Sequence, residues 1–425
     1  MSESISRRVG IVGGCRTPFA RAHGAYRSVG NLELMTGALT ALVERFDLAG
    51  QRIDDVACGA VLKHPGDFNL AREAVQGCGL APETPAFDIQ RACGTSLEAA
   101  ILLGAKIASG QIDCAIAGGC DSISDAPLSY PRDYQRILLS SSRARSVSGR
   151  VLPWLGLRPR HFVPIVPAVV EPRTGLSMGE SAEVMAQRWA IDRKDQDALA
   201  VASHQRAFKA WDEGFFDELV SPFEGLDRDD NLRPDTSVER LASLKPSFDE
   251  SGTLTAGNSS PLTDGGAAVL LASEDWAQER GLEIESWLVT GEAAAVDYVG
   301  GEGLLMAPAY AVSRMLTRAA LTLKDFDFYE IHEAFAGQVL CTLRAWESEA
   351  FCRDKLGRQA ALGAIDTDRM NVKGSSLAVG HPFAATGARI LGTASRLVSG
   401  QPNSRALISI CTAGGMGVTA IVEAA

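Results

Sequence analysis

An internal repeat relates the two ends of this 425-residue chain. Residues 91–110, "RACGTSLEAAILLGAKIASG", predict a turn that opens an apolar helix, and a buried strand ending in glycines, "CAIAGGCDSIS", follows it. The same order returns at residues 380–400, "GHPFAATGARILGTASRLVSG", which precede "RALISICTAGGMG". Cys93 and His381 occupy corresponding places, each at the start of its helix. Two like halves packed about a pseudo-two-fold axis would therefore bring a thiol and an imidazole to one centre.

The remaining pattern predicts an α/β fold. Helical segments alternate with strands that are apolar throughout, which is typical of a sheet covered on both faces. The length suits two or three domains. The alternation stops at residues 126–243, where prolines, arginines and bulky apolar residues lack clean periodicity. We therefore expect an inserted loop domain at 126–243, an N-terminal half formed by 1–125 with 244–275, and a C-terminal half at 276–425.

Charge and cysteine usage exclude several classes of protein. The net charge of −11 and the pI near 5.2 argue against a general nucleic-acid binder, because no domain-wide basic field is present. The nine cysteines are odd in number and form no CxxC pair, so neither a disulfide framework nor a zinc site is indicated. The opening "MSESISRRVGIVGG" has no signal-peptide core, and no apolar stretch is long enough to span a bilayer. We therefore expect a cytoplasmic protein without a bound metal.

Four side chains carry the candidate chemistry. Cys93 gains the positive end of a helix dipole and free backbone N–H groups, which favour a reactive thiolate, although a buried structural cysteine is the simpler interpretation of the residue alone. His381 precedes Pro382, and a lone histidine there is more often structural than a base. A second cysteine, Cys411 in "SICTAGGMG", is unusual for simple hydrolysis but suits proton transfer to or from carbon, which needs a pKa not far above neutral. His332 in "EIHEAFA" follows a strand.

A structural role is the simpler interpretation of the other cysteines and histidines and a second interpretation of His332. His332 also fits a satisfied core histidine with Glu333 as its hydrogen-bond partner. The remaining cysteines are expected to fill the core, and the remaining histidines to be surface or structural residues: Cys15, Cys58, Cys78, Cys114, Cys120, Cys341 and Cys352, and His23, His64, His161 and His204.

Blocks spread over almost the whole chain carry a family resemblance. "RACGTS", "AGNSSPLTDGGAA", "HEAFA", "NVKGSSLAVGHPFAATGAR" and "CTAGGMG" occur in this order, and "VGIVGGCRTPFARAHGAY" and "GLSMGESAEVMAQRW" agree as well. With them the sequence resembles the thiolases, and specifically the 3-ketoacyl-CoA thiolases. The resemblance implies duplicated βαβαβαββ halves in a five-layered α-β-α-β-α arrangement that carries the inserted loop domain. It also implies a homodimer or a homotetramer.

Two features distinguish this chain within that family. His332 stands where most thiolases carry Asn, which resembles the β subunits of multienzyme (trifunctional) fatty-acid oxidation complexes. Ser375 and Ser376 replace a Gly pair or Gly-Ser, and Ala413 replaces the commoner Gly in the last loop. These small side chains leave the chain-length preference open.

The resemblance assigns a role to each catalytic candidate. Cys93 would attack the 3-keto carbonyl of a 3-ketoacyl-CoA while His381 takes up its proton, and the backbone N–H groups of Cys93 and Ala413 would hold the oxyanion. The enolate of acetyl-CoA would be held by His381 and by a water on His332. Cys411 would protonate the enolate carbon and later deprotonate the incoming CoA thiol.

The resemblance also implies the ligand. Coenzyme A would enter as a co-substrate, with no permanently bound cofactor. Ser260 in "GNSS" matches a residue that contacts the pantetheine, and Met178 matches a residue lining the pocket near the reacting thioester.

A basic and apolar segment, residues 143–170, has two interpretations. It is either a solvated loop packed on the core or an amphipathic surface that docks a partner subunit or a membrane face. The resemblance favours an α subunit with hydratase and 3-hydroxyacyl-CoA dehydrogenase activities. The residues concerned are Arg143, Arg145, Arg150, Arg158 and Arg160, with Trp154, Phe162 and several aliphatic residues.

Several functions remain to be separated. The leading hypothesis is a degradative thiolase of fatty-acid β-oxidation that works by a ping-pong mechanism through an acyl-cysteine. A biosynthetic acetoacetyl-CoA thiolase would use the same residues in the condensing direction. A decarboxylating ketoacyl synthase would lack the second cysteine, and an inactive acyl-CoA-binding relative would lack at least one of Cys93, His332, His381 and Cys411.

Overall fold

A computed structural model describes residues 7–167 and 169–425. Two parts of the chain lie outside the described residues. They are residues 1–6, which belong to the opening segment used to predict a cytoplasmic protein, and Ala168, within the segment of residues 143–170. Across the described ranges, none of the helices has both the length and the hydrophobicity needed to cross a bilayer.

The described part of the chain contains ten strands and fourteen α-helices. The strands are β1 Gly10–Arg16, β2 Ala20–Arg21, β3 Asp55–Cys58, β4 Ala86–Asp88, β5 Cys114–Asp121, β6 Thr263–Ala272, β7 Ser286–Ala295, β8 Phe328–Ile331, β9 Arg405–Thr412 and β10 Met416–Ala424. The helices are α1 Asn31–Arg45, α2 Leu70–Gly77, α3 Thr95–Ala108, α4 Arg132–Arg143, α5 Val147–Val151, α6 Met178–Arg188, α7 Arg193–Asp212, α8 Val238–Ala242, α9 Glu274–Glu279, α10 Ala307–Ala319, α11 Ala336–Glu347, α12 Glu349–Asp354, α13 Ser376–Val379 and α14 Thr386–Val398.

The strand order repeats across the two halves of the sheet. The order is β4-β3-β5-β6-β1-β7-β10-β9-β8, and β1 meets β7 through the antiparallel pairs Gly10–Trp287 and Ile11–Ser286. In the first half β3 runs parallel to β5, and β5 antiparallel to β6. In the second half β8 runs parallel to β9, and β9 antiparallel to β10. The halves therefore share one topology, as the sequence repeat predicted.

The helices and the two halves of the sheet form five layers, because apolar side chains extend from both faces of each half. Neighbouring residues of a strand face opposite sides, so both faces of each half need a cover. Helices α1 and α2 cover the outer face of the first half, and α10 and α11 cover the outer face of the second. Helices α3 and α14 fill the space between the two halves. The predicted α/β class and five-layered thiolase-like arrangement are confirmed.

The predicted insertion consists of two different parts. Helices α4 and α5 have no buried residues and lie in an exposed, largely irregular stretch. Helices α6 and α7 instead bury apolar side chains against the second half and its neighbours. Strand β6, which follows, pairs with β5 and β1 of the first half. The predicted boundaries at residues 126, 243 and 276 stay predictions.

Candidate active site

A strained turn presents Cys93 at the start of α3. Ala92 has a left-handed φ of 45°, a conformation that costs an L-residue free energy and occurs often at functional sites. The Thr95 hydroxyl donates to the carbonyl of Ala92 over 2.7 Å and accepts from the backbone N–H of Arg91 over 2.8 Å. These bonds hold the turn in which Cys93, a partly buried residue, lies.

A second constrained turn presents His381. Gly380 precedes it with a φ of +104°, and a Cβ at residue 380 would approach the Thr263 side chain to 2.8 Å, so glycine is required there. The Thr263 hydroxyl accepts from the backbone N–H of His381 over 2.7 Å. The His381 Nδ1 lies 2.5 Å from the Thr386 hydroxyl, and its Nε2 lies 3.2 Å from the sulfur of Cys93. Thiol and imidazole are thus within hydrogen-bond reach.

The close contact of α3 with α14 brings these two turns together. The Ser96 hydroxyl donates to the carbonyl of Ala384 over 2.6 Å and accepts from the backbone N–H of Ala388 over 2.7 Å. A Cβ on Gly387 would lie only 2.3 Å from the backbone nitrogen of Leu97. The helices can approach this closely only because residue 387 has no side chain.

His332 lies beside the Cys93–His381 pair. The ring centroids of His332 and His381 are 4.2 Å apart, and one donor atom from each of Cys93, His332 and His381 lies within 4.8 Å of the others. The Nδ1 of His332 lies 2.8 Å from the Ser376 hydroxyl, whereas its Nε2 is buried and has no partner among the described residues. A thiol and two imidazoles form a donor set that zinc accepts. The expectation that no metal is bound stays a prediction.

Glu333 does not bond to His332, so that part of the sequence interpretation is wrong. Its carboxylate instead accepts from the Ser203 hydroxyl over 2.7 Å and from the Asn371 amide over 2.7 Å. Neighbouring side chains of an extended segment point to opposite sides, which separates Glu333 from the His332 ring. The Asn371 side chain also bonds both backbone groups of Ile331 over 2.8 Å, so the pair fixes the end of β8.

Cys411 faces the same cavity from the other half. It is a buried residue of β9, and it lines a cavity of about 130 Å³ together with Cys93, His381, Met178, Ser260 and Ala413. The structure therefore brings seven of the predicted residues to one place, counting His332 just behind the wall. Burial is the main cause of the raised pKa of the Cys411 thiol, and the nearby Cys93 sulfur raises it further.

Burial decides the resting protonation of these groups. Burial raises the pKa of Cys93 to about 12, although the backbone N–H groups of Ala413 and Cys93 favour its thiolate. Burial and the Arg389 charge lower the pKa of His381 to about 3. Burial also raises the pKa of Cys411. The expected low pKa of a thiol at a helix start is therefore not found, because desolvation outweighs the local dipoles, and the resting pair is a neutral thiol beside a neutral imidazole.

Two further cavities adjoin the first. A cavity of about 530 Å³ shares Met178 and Ala413 with it and continues between apolar residues of the inserted region, including Ala126, Leu128 and Val169. A cavity of about 180 Å³ shares Pro261 with the first and borders Ser259. It is lined by two arginines, Arg21 and Arg233. The reacting centre thus has an apolar extension on one side and a basic one on another.

Sequence reasoning missed the side chains that hold the imidazoles. Ser376 bonds to His332, Thr386 bonds to His381, and Arg389 donates to the hydroxyls of both Ser375 and Ser376. Arg389 offered a signal, since it lies among small and apolar residues near the start of α14, and a charged residue that is buried there must have partners. For Ser376 the sequence offered only the observation that Ser375 and Ser376 replace a Gly pair or Gly-Ser of the family.

Comparisons with known proteins agree with this architecture. Residues 9–275 match the family model described as "Thiolase, N-terminal domain", and residues 286–424 match "Thiolase, C-terminal domain". The chain is 41% identical over 423 residues to a 3-ketoacyl-CoA thiolase of Yersinia enterocolitica, covering 98% of this chain and 97% of the relative. It is 40% identical, with the same coverage, to a 3-ketoacyl-CoA thiolase of Yersinia pestis.

Solved structures lead to the same group of proteins. An acetyl-CoA acetyltransferase of Bacillus anthracis superposes with a TM-score of 0.83 at 28% identity, covering 100% of both chains. Human mitochondrial 3-ketoacyl-CoA thiolase in complex with CoA superposes with a TM-score of 0.82 at 27% identity, covering 99% of both chains.

Proposed function

The chain belongs to the thiolase family and is an acyltransferase, and on that premise we propose that it cleaves 3-ketoacyl-CoA with CoA to give acetyl-CoA and a shortened acyl-CoA. The observation that carries the proposal is the 3.2 Å contact between the Cys93 sulfur and the His381 Nε2, within a cavity that Cys411 also lines. A simple hydrolase would need the first pair but not the second thiol. The proposed pathway role is fatty-acid β-oxidation.

The first half-reaction forms an acyl-enzyme. As the Cys93 sulfur bonds to the 3-keto carbon, its proton passes to the Nε2 of His381, which is neutral and free to accept it. The backbone N–H groups of Cys93 and Ala413 point to the Cys93 sulfur and are the oxyanion donors. A backbone donor depends little on its own side chain, so alanine at residue 413 keeps this role.

Collapse of the tetrahedral intermediate breaks the bond between the α and β carbons. The acyl group stays on Cys93, and the electron pair of the broken bond becomes the enolate of acetyl-CoA. The protonated His381 and a water held by the Nε2 of His332 stabilise the enolate oxygen. The Cys411 thiol gives its proton to the enolate carbon, and acetyl-CoA leaves.

The second half-reaction returns the enzyme to its starting state. The Cys411 thiolate takes the proton of the incoming CoA thiol, whose sulfur attacks the acyl carbon on Cys93. The Cys93 sulfur leaves and recovers its proton from His381. Each cysteine thus ends protonated, and the two sulfurs have separate duties.

CoA reaches the reacting centre along Ser260 and Met178. Both residues line the central cavity, so each is in a place to contact a pantetheine arm and the thioester. The basic cavity beyond Pro261 offers Arg21 and Arg233 to the phosphates of CoA. No permanently bound cofactor is required, because CoA enters and leaves as a substrate.

The apolar cavity favours acyl chains longer than four carbons. Its walls of Ala126, Leu128 and Val169 extend the central cavity outward, and burial of each methylene there contributes about 0.8 kcal/mol. A biosynthetic acetoacetyl-CoA thiolase needs no such space. Thiolysis measured on four-carbon and on ten- to sixteen-carbon 3-ketoacyl-CoA separates the two functions, and a rate that falls beyond four carbons contradicts the degradative proposal.

Mass spectrometry tests the chemistry directly. Incubation with a 3-ketoacyl-CoA without free CoA should leave an acyl group on Cys93, and Cys93→Ala should leave none. A trapped group on any other residue, or turnover of malonyl thioesters without thiolysis, contradicts the proposal. Metal analysis of the purified protein tests the expectation that the Cys93–His332–His381 set holds no ion.

The assembly is proposed on separate grounds. We infer a homodimer or a homotetramer from family membership. Among the described residues, 22 large hydrophobic side chains are exposed, and eleven of them lie within residues 143–170, including Val147, Leu152 and Leu155. Exposed apolar patches of this kind mark interaction sites. The proposed occupant is an α subunit with hydratase and 3-hydroxyacyl-CoA dehydrogenase activities, and a membrane face is the alternative.

A further inference from the structure

Three buried side chains form a chain of hydrogen bonds that ends at the reacting centre. The Nη2 of Arg389 lies 2.6 Å from the hydroxyl oxygen of Ser376, which lies 2.8 Å from the Nδ1 of His332. Their exposed fractions are 5%, 0% and 1%, so water does not compete for these bonds. Arg389 has a second contact, with the hydroxyl of Ser375 at 3.1 Å.

Only one arrangement of protons satisfies both hydrogen bonds of the Ser376 hydroxyl, one with Arg389 and one with His332. A guanidinium donates and never accepts, so the Ser376 oxygen accepts from Arg389. The hydroxyl has one proton of its own, and the Nδ1 of His332 is the remaining partner of that oxygen among the described residues. If Nδ1 carried a proton instead, the Ser376 hydroxyl proton would be buried without an acceptor, which costs about 1–3 kcal/mol.

From this geometry we propose that Ser376, held by Arg389, is a positioning residue that fixes His332 in the tautomer with its proton on Nε2. The inference rests on the proposed function, in which His332 donates toward the enolate oxygen through a water. The Nε2 of His332 is buried without a described partner beside Cys93 and His381. It is therefore free to donate at the reacting centre, and the tautomer decides whether it can.

The neighbouring imidazole, that of His381, is held in the other tautomer, with its proton on Nδ1. His381 must accept a proton at Nε2 from Cys93, so its Nδ1 carries the proton and donates to the Thr386 hydroxyl, 2.5 Å away. The two rings thus present one acceptor and one donor to the same substrate. Burial, followed by the nearby His381 and then the Arg389 charge, keeps the pKa of His332 below its usual range, which favours the neutral ring.

Three variants test the proposal. Ser376→Ala removes the hydroxyl that orients His332, and Ser376→Thr restores it. Ser375→Ala is the matched control, because it removes the other hydroxyl that Arg389 contacts without touching His332. The chain is labelled with ¹⁵N-histidine, and His332→Asn identifies the signals of His332. We expect an Nε2–H tautomer in wild type, Ser375→Ala and Ser376→Thr, and a mixture of tautomers in Ser376→Ala.

Kinetics supply the second measurement. We expect Ser376→Ala to lower the kcat of thiolysis by roughly 10- to 100-fold, less than the loss on removing an oxyanion donor outright. The KM for the 3-ketoacyl-CoA and the rate of Cys93 acylation by a simple thioester should change little, since neither needs the enolate. Ser376→Thr should recover most of the kcat.

The outcomes separate this proposal from the proposed function. An Nδ1–H tautomer in wild type, or an unchanged tautomer in folded Ser376→Ala, overturns the positioning role. An equal loss of kcat in Ser375→Ala and Ser376→Ala also overturns it, because the effect would then belong to Arg389 packing. Absence of thiolysis in the wild-type chain contradicts the proposed function, while the ¹⁵N measurement still decides the tautomer.

Discussion

The imidazole rings of His332 and His381 lie 4.2 Å apart between centroids, tilted by 52°, and each has its Nδ1 on a different hydroxyl. Neither ring is exposed, and burial is the main cause of the low pKa of both. Two neutral imidazoles can lie this close because no charge repulsion separates them. The site therefore rests without ionised catalytic groups.

A pH prediction follows for Cys93. Its pKa is raised to about 12 and that of His381 lowered to about 3, so the thiolate fraction stays small at neutral pH. Because the thiolate is the nucleophile, alkylation of Cys93 by iodoacetamide should accelerate about tenfold per pH unit between roughly pH 7 and 9, without a plateau. Peptide mass spectrometry distinguishes Cys93 from the other eight cysteines, all of which are buried. A plateau beginning below neutral pH would indicate a resting thiolate–imidazolium pair instead.

Gly387→Ala should separate the two central helices. The new methyl group would lie 2.3 Å from the backbone nitrogen of Leu97, and this overpacking should destabilise the fold by roughly 1–3 kcal/mol. Gly392→Ala on the same helix is the control, since its nearest neighbour would be 3.7 Å away. Denaturant unfolding measures both variants, and thiolysis should fall only in Gly387→Ala. Equal stability of the two would show that the contact with Leu97 does not set the helix spacing.

The sequence predicted the meeting of Cys93 with His381 because both features are encoded locally. Each residue opens a helix next to a buried strand, and the repeat of that unit implies a common centre. The hydroxyl of Ser376 could not be assigned in this way. Its bond to His332 joins residues 44 positions apart and depends on which side of the chain each side chain faces.

The protonation states were also beyond the sequence. A thiol at a helix start favours a low pKa when only the dipole is considered. The folded chain surrounds Cys93 with protein from both halves, and the resulting desolvation is a sum over residues that no local motif contains. The same holds for the apolar cavity near Ala126, whose walls come from separate segments.

Cys411→Ala should separate acylation from cleavage. Cys93 and His381 remain, so a simple acyl thioester should still acylate Cys93. The enolate would have no proton donor and CoA no base, and loss of such a group lowers rates by roughly 100- to 10,000-fold. Intact-mass measurement detects acylation and a CoA-dependent assay measures thiolysis. Near-normal thiolysis in this variant would assign the proton transfer to another group.

Ala126→Phe should shorten the preferred acyl chain. The ring would occupy the apolar cavity that extends the reacting centre, while the atoms around Cys93 stay in place. We expect kcat/KM for ten- to sixteen-carbon substrates to fall by at least about tenfold, corresponding to the burial of roughly two methylenes, and kcat/KM for the four-carbon substrate to stay near wild type. Ala350→Phe, at an exposed residue of α12, is the control. A uniform loss across chain lengths would indicate that the acyl chain does not follow this cavity.

Charges placed on the exposed apolar segment should release its partner. Leu152 and Leu155 are 61% and 78% exposed, so replacing both with Asp removes apolar contact area without disturbing the core. We expect wild type to co-purify from its host with hydratase and 3-hydroxyacyl-CoA dehydrogenase activities, and the double variant to lose them while four-carbon thiolysis is kept. The control is Phe68→Asp combined with Val299→Asp. These two side chains are also large, apolar and exposed, at 81% and 54%, but they lie outside residues 143–170. Flotation with anionic vesicles tests the alternative of a membrane contact. If the double variant loses only vesicle binding, the segment contacts a membrane. If it loses neither the co-purifying activities nor vesicle binding, the segment is a solvated loop.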